Sequence, residues 1–167
     1  MKYRPTIVRH VVVLALAVAA AGASAQQGLI SESSISANSA LELAVASRER
    51  CRADGYKVTI TVLNRHARTA VVVSDDGVNP HTIENSMRKA YTAFTTRTPT
   101  AEMAKRAQPG LSGFMLLDKI SPLDGGLPIF AGKELVGAIG ISGAPGGEKD
   151  TACAQAGLAK IAAALGN

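Results

Sequence analysis

Outside the first 25 residues, the side chains with chemical potential are few: His66, His81, Arg88, Lys89, Tyr91, and the two cysteines, Cys51 and Cys153. There is no nucleophile elbow, His-Glu-x-x-His helix, phosphate loop or Cys-x-x-Cys pair, so no catalytic motif stands out. Two histidines are also too few for a dedicated structural metal site. His81 is the more interesting of them. It follows Asn79-Pro80 at a helix start, where the positive end of the macrodipole disfavours a charged imidazole and so favours the neutral, metal-ligating form. The plainer reading is an exposed helix-start histidine. His66 falls in the turn Asn64-Arg65-His66-Ala67, where a solvated side chain is expected. On the helix after His81, Arg88 and Lys89 offer cations for a carboxylate, and Tyr91 offers a phenol oxygen. Against those roles, both cations lie on the polar side of that helix and Tyr91 on its apolar side. Met87 reads as core. The loop Gly143-Ala-Pro-Gly-Gly147 could cradle an anion on its amides, but Glu148 and Asp150 crowd it with negative charge, which favours a plain turn.

The elements that must position these groups follow from pattern. A helix is expected from Asn38 to Arg52, with Ser36 or Asn38 as its cap. Tyr56 to Leu63 and Arg68 to Ser74, rich in valine and threonine, read as paired strands ended by Asp75-Asp76-Gly77. Asn79-Pro80 opens the next helix, whose apolar positions Ile83, Met87, Ala90, Tyr91 and Phe94 define one face expected to be buried. Pro99 ends it, and Ala101 to Ala107 reads as a short helix. Phe114 to Leu117 reads as a strand. Leu127 to Ala131 and Leu135 to Ser142 read as two strands joined by a two-residue turn, Gly132-Lys133. Glycines 137, 140 and 143 imply that another backbone or a ligand comes close. A last helix runs from about Glu148 to Leu165. The order α, ββ, αα, βββ, α predicts a single-domain α+β fold, an antiparallel sheet with helices packed on it.

The N-terminus reads as an address. Lys2, Arg4 and Arg9 precede the apolar run Val11 to Ala21, too short to span a bilayer, and Ala23-Ser24-Ala25 fits the small-x-small cleavage rule. Residues 1–25 are therefore expected to be a signal peptide, 26–36 a serine-rich flexible leader, and 37–167 the domain. The alternative is an uncleaved anchor. Cleavage removes three of the 18 Lys and Arg, leaving 15 against 13 Asp and Glu, so the formal charge falls from +5 to +2. That small excess, with no basic stripe interleaved with aromatics, argues against nucleic acid, and no later segment is long and apolar enough to cross a membrane. Export would place Cys51 and Cys153 in an oxidising compartment, where a lone pair often bridges. Cys51 lies near the end of the first helix and Cys153 near the start of the last. Ala40, Ala44, Ser47 and Cys51 form a small-residue stripe that permits close helix approach, so the two cysteines would meet if the helices packed antiparallel. The alternative is two buried, unpaired thiols.

Several blocks in order resemble the GlcG/HbpS family of small haem-binding-protein-like proteins. They are Gly125-Gly126-Leu127-Pro128-Ile129, Val136-Gly137-Ala138-Ile139-Gly140-Ile141-Ser142-Gly143 and Ala156-Gly157-Leu158. Asp76-Gly77, the helix Ser86 to Ala93 with Lys89-Ala90-Tyr91-Thr92-Ala93, and Pro109-Gly110-Leu111 extend the resemblance over Ser36 to Ile161. The chain departs from the pattern at Asn64-Arg65-His66-Ala67 and at Ser74-Asp75. The resemblance implies a profilin-like layout, a homo-oligomer and haem or a related tetrapyrrole as ligand. In that setting His81 becomes the candidate iron ligand, Arg88 and Lys89 candidate partners of the propionates, and Tyr91 an alternative ligand of ferric iron. The expected function is an exported, periplasmic or secreted haem-binding protein without a catalytic centre of its own. The alternatives are a small-molecule enzyme with its pocket between protomers, haem degradation being one such activity, and a ligand-free accessory protein of a periplasmic redox system.

Overall fold

The computed structural model describes residues 28–106 and 112–166; residues 1–25, expected to be a signal peptide, and Pro109-Gly110-Leu111 lie outside them. In chain order the elements are α1 (Ala37–Ala53), β1 (Thr59–Asn64), β2 (Thr69–Ser74), α2 (His81–Thr96), α3 (Thr100–Arg106), α4 (Ser112–Met115), β3 (Gly126–Ala131), β4 (Glu134–Ser142) and α5 (Gly147–Ile161), closed by a 3-10 turn at Ala162–Leu165. The strands form one antiparallel sheet in the order β2-β1-β4-β3. Helix α2 covers one face, and α1 and α5 pack together on the other. This is the expected α+β sandwich.

The aliphatic core lies between the sheet and the α1–α5 layer. Leu43 of α1, Ile60 and Val62 of β1, Ile129 of β3, Ile139 and Ile141 of β4 and Ile161 of α5 are all buried there. Cys51 and Cys153 are bridged within this layer, their Cα atoms 5.5 Å apart, so the disulfide expected from the helix geometry is present. Ser36 caps α1 as expected, its Oγ accepting from the Ser39 amide at 3.1 Å. Just before it, the Ile35 amide donates to the Val136 carbonyl at 3.0 Å, and Ser33 donates from both its amide and its hydroxyl to Glu134. Those two bonds hold the Glu134 carboxyl below its ordinary range. The end of the serine-rich leader is thus tied along β4.

Two expectations about the helices and strands are corrected. Phe114 to Leu117 is not a strand: α4 and the turns after it are held by Leu116 N–H to Gly113 O and Leu117 N–H to Phe114 O, both 3.2 Å. A four-residue apolar run fits a helical turn as well as a strand, and the sheet has four strands, not five. Of the apolar face expected on α2, only Ala90 is fully buried. Ile83 is 52% exposed, and Met87, Tyr91 and Phe94 are half-buried, whereas Thr82, Ser86, Lys89, Ala90 and Ala93 face the sheet. The strand surface beneath is built of hydroxyls and glycine, and it selects a matching helix face. Thr82 Oγ1 meets Thr59 Oγ1 at 2.8 Å, and Ser86 Oγ meets Thr61 Oγ at 2.8 Å. A Cβ on Gly140 would run into the carbonyl oxygen of Ser86 and the amide of Ala90, so the α2 backbone lies directly on β4. That is the close backbone approach the glycine spacing predicts.

Candidate functional site

Where α2 begins, the close packing ends and a cleft of about 550 Å³ opens. His81 and Asn85 of α2 form one wall, Leu123 and Asp124 of the segment before β3 another, and the Gly143-Ala144 backbone a third. A second hollow of about 400 Å³ shares His81, Asn85 and Leu123 with the first and reaches Glu84 and Arg88. The two form one trough along the exposed side of α2's first turns. Asn85 is pinned between them: its Nδ2 donates to Ser142 Oγ at 3.0 Å, and its Oδ1 accepts from Ser121 Oγ at 3.2 Å. The Ser121 amide in turn donates to Thr92 Oγ1 at 2.9 Å, which fastens the wall before β3 to α2.

The floor of the cleft carries a buried ion pair. Lys89 Nζ donates to Asp150 Oδ2 and to the Ile141 carbonyl, each at 2.8 Å, and both charged side chains are 3% exposed. Asp150 Oδ1 accepts from the Ala144 amide at 3.1 Å. Burial pushes the Asp150 carboxyl above the ordinary aspartate value, while the Lys89 charge, its hydrogen bond and the Ala144 amide pull it partway back. The expectation that Lys89 is solvated is therefore corrected. Strand β4 and the start of α5 enclose the lysine, and its charge is already matched.

The other expected site residues separate. His81 is exposed at the mouth of both hollows, and among the described residues no side chain bonds its ring. Arg88 borders the second hollow and is held only by an exposed pair with Glu84, Nη2 to Oε1 at 2.6 Å. Tyr91 borders neither hollow; its half-buried ring packs under Lys119 Nζ, 5.6 Å from the ring centroid. His66 is exposed in its turn, where its amide donates to Asn64 Oδ1 at 3.0 Å. In the Gly143–Gly147 loop, Asp150 takes the Ala144 amide, in keeping with a plain turn. The sequence reading missed Asn85, Ser142 and Asp150. Of these only Asp150 had a usable signal, as the acid opening the helix after a buried strand, available to a lysine that has to be buried.

The pattern of the family described as "Haem degrading protein HbpS-like" matches residues 35–159, and the chain belongs to that family. An uncharacterised 15.0 kDa protein of Citrobacter freundii, from a dhaT-dhaS intergenic region, is 32% identical over 90 residues, 52% of this chain and 63% of that one. The match thus spans less than two thirds of that relative. Among solved structures, a double mutant of Streptomyces reticuli HbpS is 34% identical with a TM-score of 0.76, covering 85% of this chain and 97% of that one. A PduOC–haem complex is 28% identical with a TM-score of 0.72, covering 77% and 95%.

Proposed function

We propose that this chain is an exported protein that binds haem or a related tetrapyrrole in the trough at the start of α2 and has no catalytic centre of its own. The observation that carries the reading is the unpartnered His81 imidazole at the mouth of two connected hollows, on a chain of the HbpS-like family that resembles a protein solved with haem. The residues present fit the group. His81 supplies a nitrogen for iron, Leu123 an apolar wall, and Arg88, free to leave a weak exposed pair, a partner for a propionate. Lys89 and Tyr91 are better explained as structural. Bound haem would supply a redox-active iron, and the protein's part is to hold and screen it. Export is supported by the signal pattern and by a disulfide joining the only two cysteines, which belongs in an oxidising compartment.

The family description favours a second reading, an enzyme that degrades haem. Hemin titration separates the two. A stoichiometric Soret shift that persists under reductant and oxygen supports binding alone, and a Soret band that bleaches under those conditions supports degradation. No spectral change at all would sink both. Mass spectrometry of the mature protein is expected to give a chain that starts at Gln26, and an intact N-terminus in the cytoplasm would overturn the export proposal.

A further inference from the structure

The leader meets the sheet at the end away from the trough, where Asn64 of β1 lies opposite Gly137 of β4. Ser33 donates its amide to Glu134 Oε1 at 2.9 Å and its hydroxyl to Oε2 at 2.8 Å, so both oxygens of one carboxylate hold one residue. The residues on either side of it grip the β1–β2 turn. Ser34 Oγ accepts from the Arg65 amide at 3.3 Å, and Glu32 Oε1 accepts from Arg65 Nη2 at 2.9 Å. Ile35 follows and is set into the core, 6% exposed. Its Cγ2 lies 3.1 Å from where a Cβ on Gly137 would stand, a space that the glycine leaves free.

Residues 32–34 and Ile35 are therefore attached in different ways. Ile35 is held by burial and by its amide bond to the Val136 carbonyl, and neither responds to protons in the ordinary range. The three residues before it depend on carboxylates, and Glu134 is exposed, so a proton reaches it without any rearrangement. Beside these residues lies a hollow of about 220 Å³, with Ser33 and Ser34 on one side and the apolar Ala131, Val136 and Leu165 on the other.

The charged groups around Glu134 are few. Arg65 acts on it as a cation, Lys133 is its chain neighbour, and Glu32 is the leader's own acid, paired with Arg65. His66 of the same turn bonds through its amide to Asn64, and the 3-10 turn Ala162–Leu165 carries no charge. With the two Ser33 bonds in place, the Glu134 carboxyl lies below its ordinary value of 4.5. A carboxyl depressed by closure stabilises the closed form fully above that ordinary value, and the stabilisation is lost as pH falls through the depressed one.

We propose that residues 32–34 are an acid-released strap hinged at Ile35, closed while Glu134 is ionised and lifted when Glu134 takes a proton, which opens the apolar side of the hollow. The strap and the trough sit at opposite ends of the sheet, so the inference does not depend on haem, and its failure would leave the functional reading standing.

Proton–nitrogen NMR of the protein from about pH 7 to about pH 3.5 tests it. The Ser33 amide is expected to shift in one step with a midpoint below 4.5. Its exchange with solvent, corrected for the intrinsic rate, is expected to rise across the same step while the Ile35 amide stays protected. Glu134→Gln keeps the shape of the side chain and removes the titrating charge, so the step is expected to vanish. Glu134→Ala removes both acceptors and is expected to speed Ser33 exchange about threefold or more near neutral pH, with an unchanged circular dichroism spectrum. A Ser33 amide that is unprotected in the parent near neutral pH overturns the proposal. So does a midpoint at or above 4.5, a step that survives in Glu134→Gln, or parental exchange in Glu134→Ala.

Discussion

Replacing Lys89 with methionine keeps the length of the side chain and removes its charge, which leaves the Asp150 carboxylate 3% exposed with only the Ala144 amide to bond. Stripping one partner from a buried ion pair costs about 3–5 kcal/mol, because the remaining charge is neither hydrated nor matched. A domain of this size has only about 5–15 kcal/mol to lose, so the variant is expected to stand near the edge of folding. Urea unfolding followed by circular dichroism measures the difference as a drop in midpoint at unchanged slope. The double variant Lys89→Met/Asp150→Leu, an apolar pair of similar volume, is expected to recover most of the loss. The pH dependence has a definite sign. Asp150 titrates above its ordinary value of 3.8 in the folded protein, so the stability from its neutral form is complete below that value and is lost as pH rises through the folded one. Removing Lys89 deletes the strongest pull in the other direction and widens that window upward. The defect of Lys89→Met is therefore expected to shrink as pH falls from 8 toward 5, within the range where the protein stays folded. A single variant within about 0.5 kcal/mol of the parent, the scatter of ordinary surface substitutions, or a defect independent of pH would refute the reasoning.

Gly140→Ala pushes a methyl into the α2 backbone at Ser86 and Ala90 and is expected to cost about 1–3 kcal/mol or more, read as a lowered urea midpoint; parental stability would mean that helix and strand are not in contact. Thiol titration of the unfolded, unreduced protein is expected to find no free thiol. Cys51→Ala/Cys153→Ala, which opens a bridge spanning 102 residues, is expected to lose up to about 4.7 kcal/mol in the chain-entropy account. Two free thiols per chain would remove the bridge.

Much of the fold was legible because local rules and tertiary packing agree. Ser36 caps α1, Gly132-Lys133 turns the β3–β4 hairpin, and the small stripe Ala40, Ala44, Ser47, Cys51 lets α1 approach α5 closely enough for the disulfide. The reading failed where the partner surface, which a pattern along one segment cannot see, decides the outcome. Apolar spacing on α2 pointed to Ile83 and Met87, yet the sheet presents Thr59, Thr61 and Gly140 there, and hydroxyl pairs with close backbone contact win over hydrophobicity. The same blindness put Lys89 in solvent, since its counter-ion lies 61 residues away on α5. His81 and Arg88 border the hollows, and their places, a helix start and its exposed side, are local features that a sequence shows. Tyr91 was drawn in by residue type alone, and the fold turns it toward Lys119 instead.

The central claim is that haem lies in the trough at the start of α2 with His81 on its iron, and hemin titration of the protein beside His81→Ala and His66→Ala tests it most directly. Both histidines are exposed, so neither substitution should disturb the fold. The account predicts a Soret-monitored affinity more than about tenfold weaker for His81→Ala, a loss of at least about 1.4 kcal/mol, and an affinity for His66→Ala equal to the parent's. Equal binding by His81→Ala would contradict it.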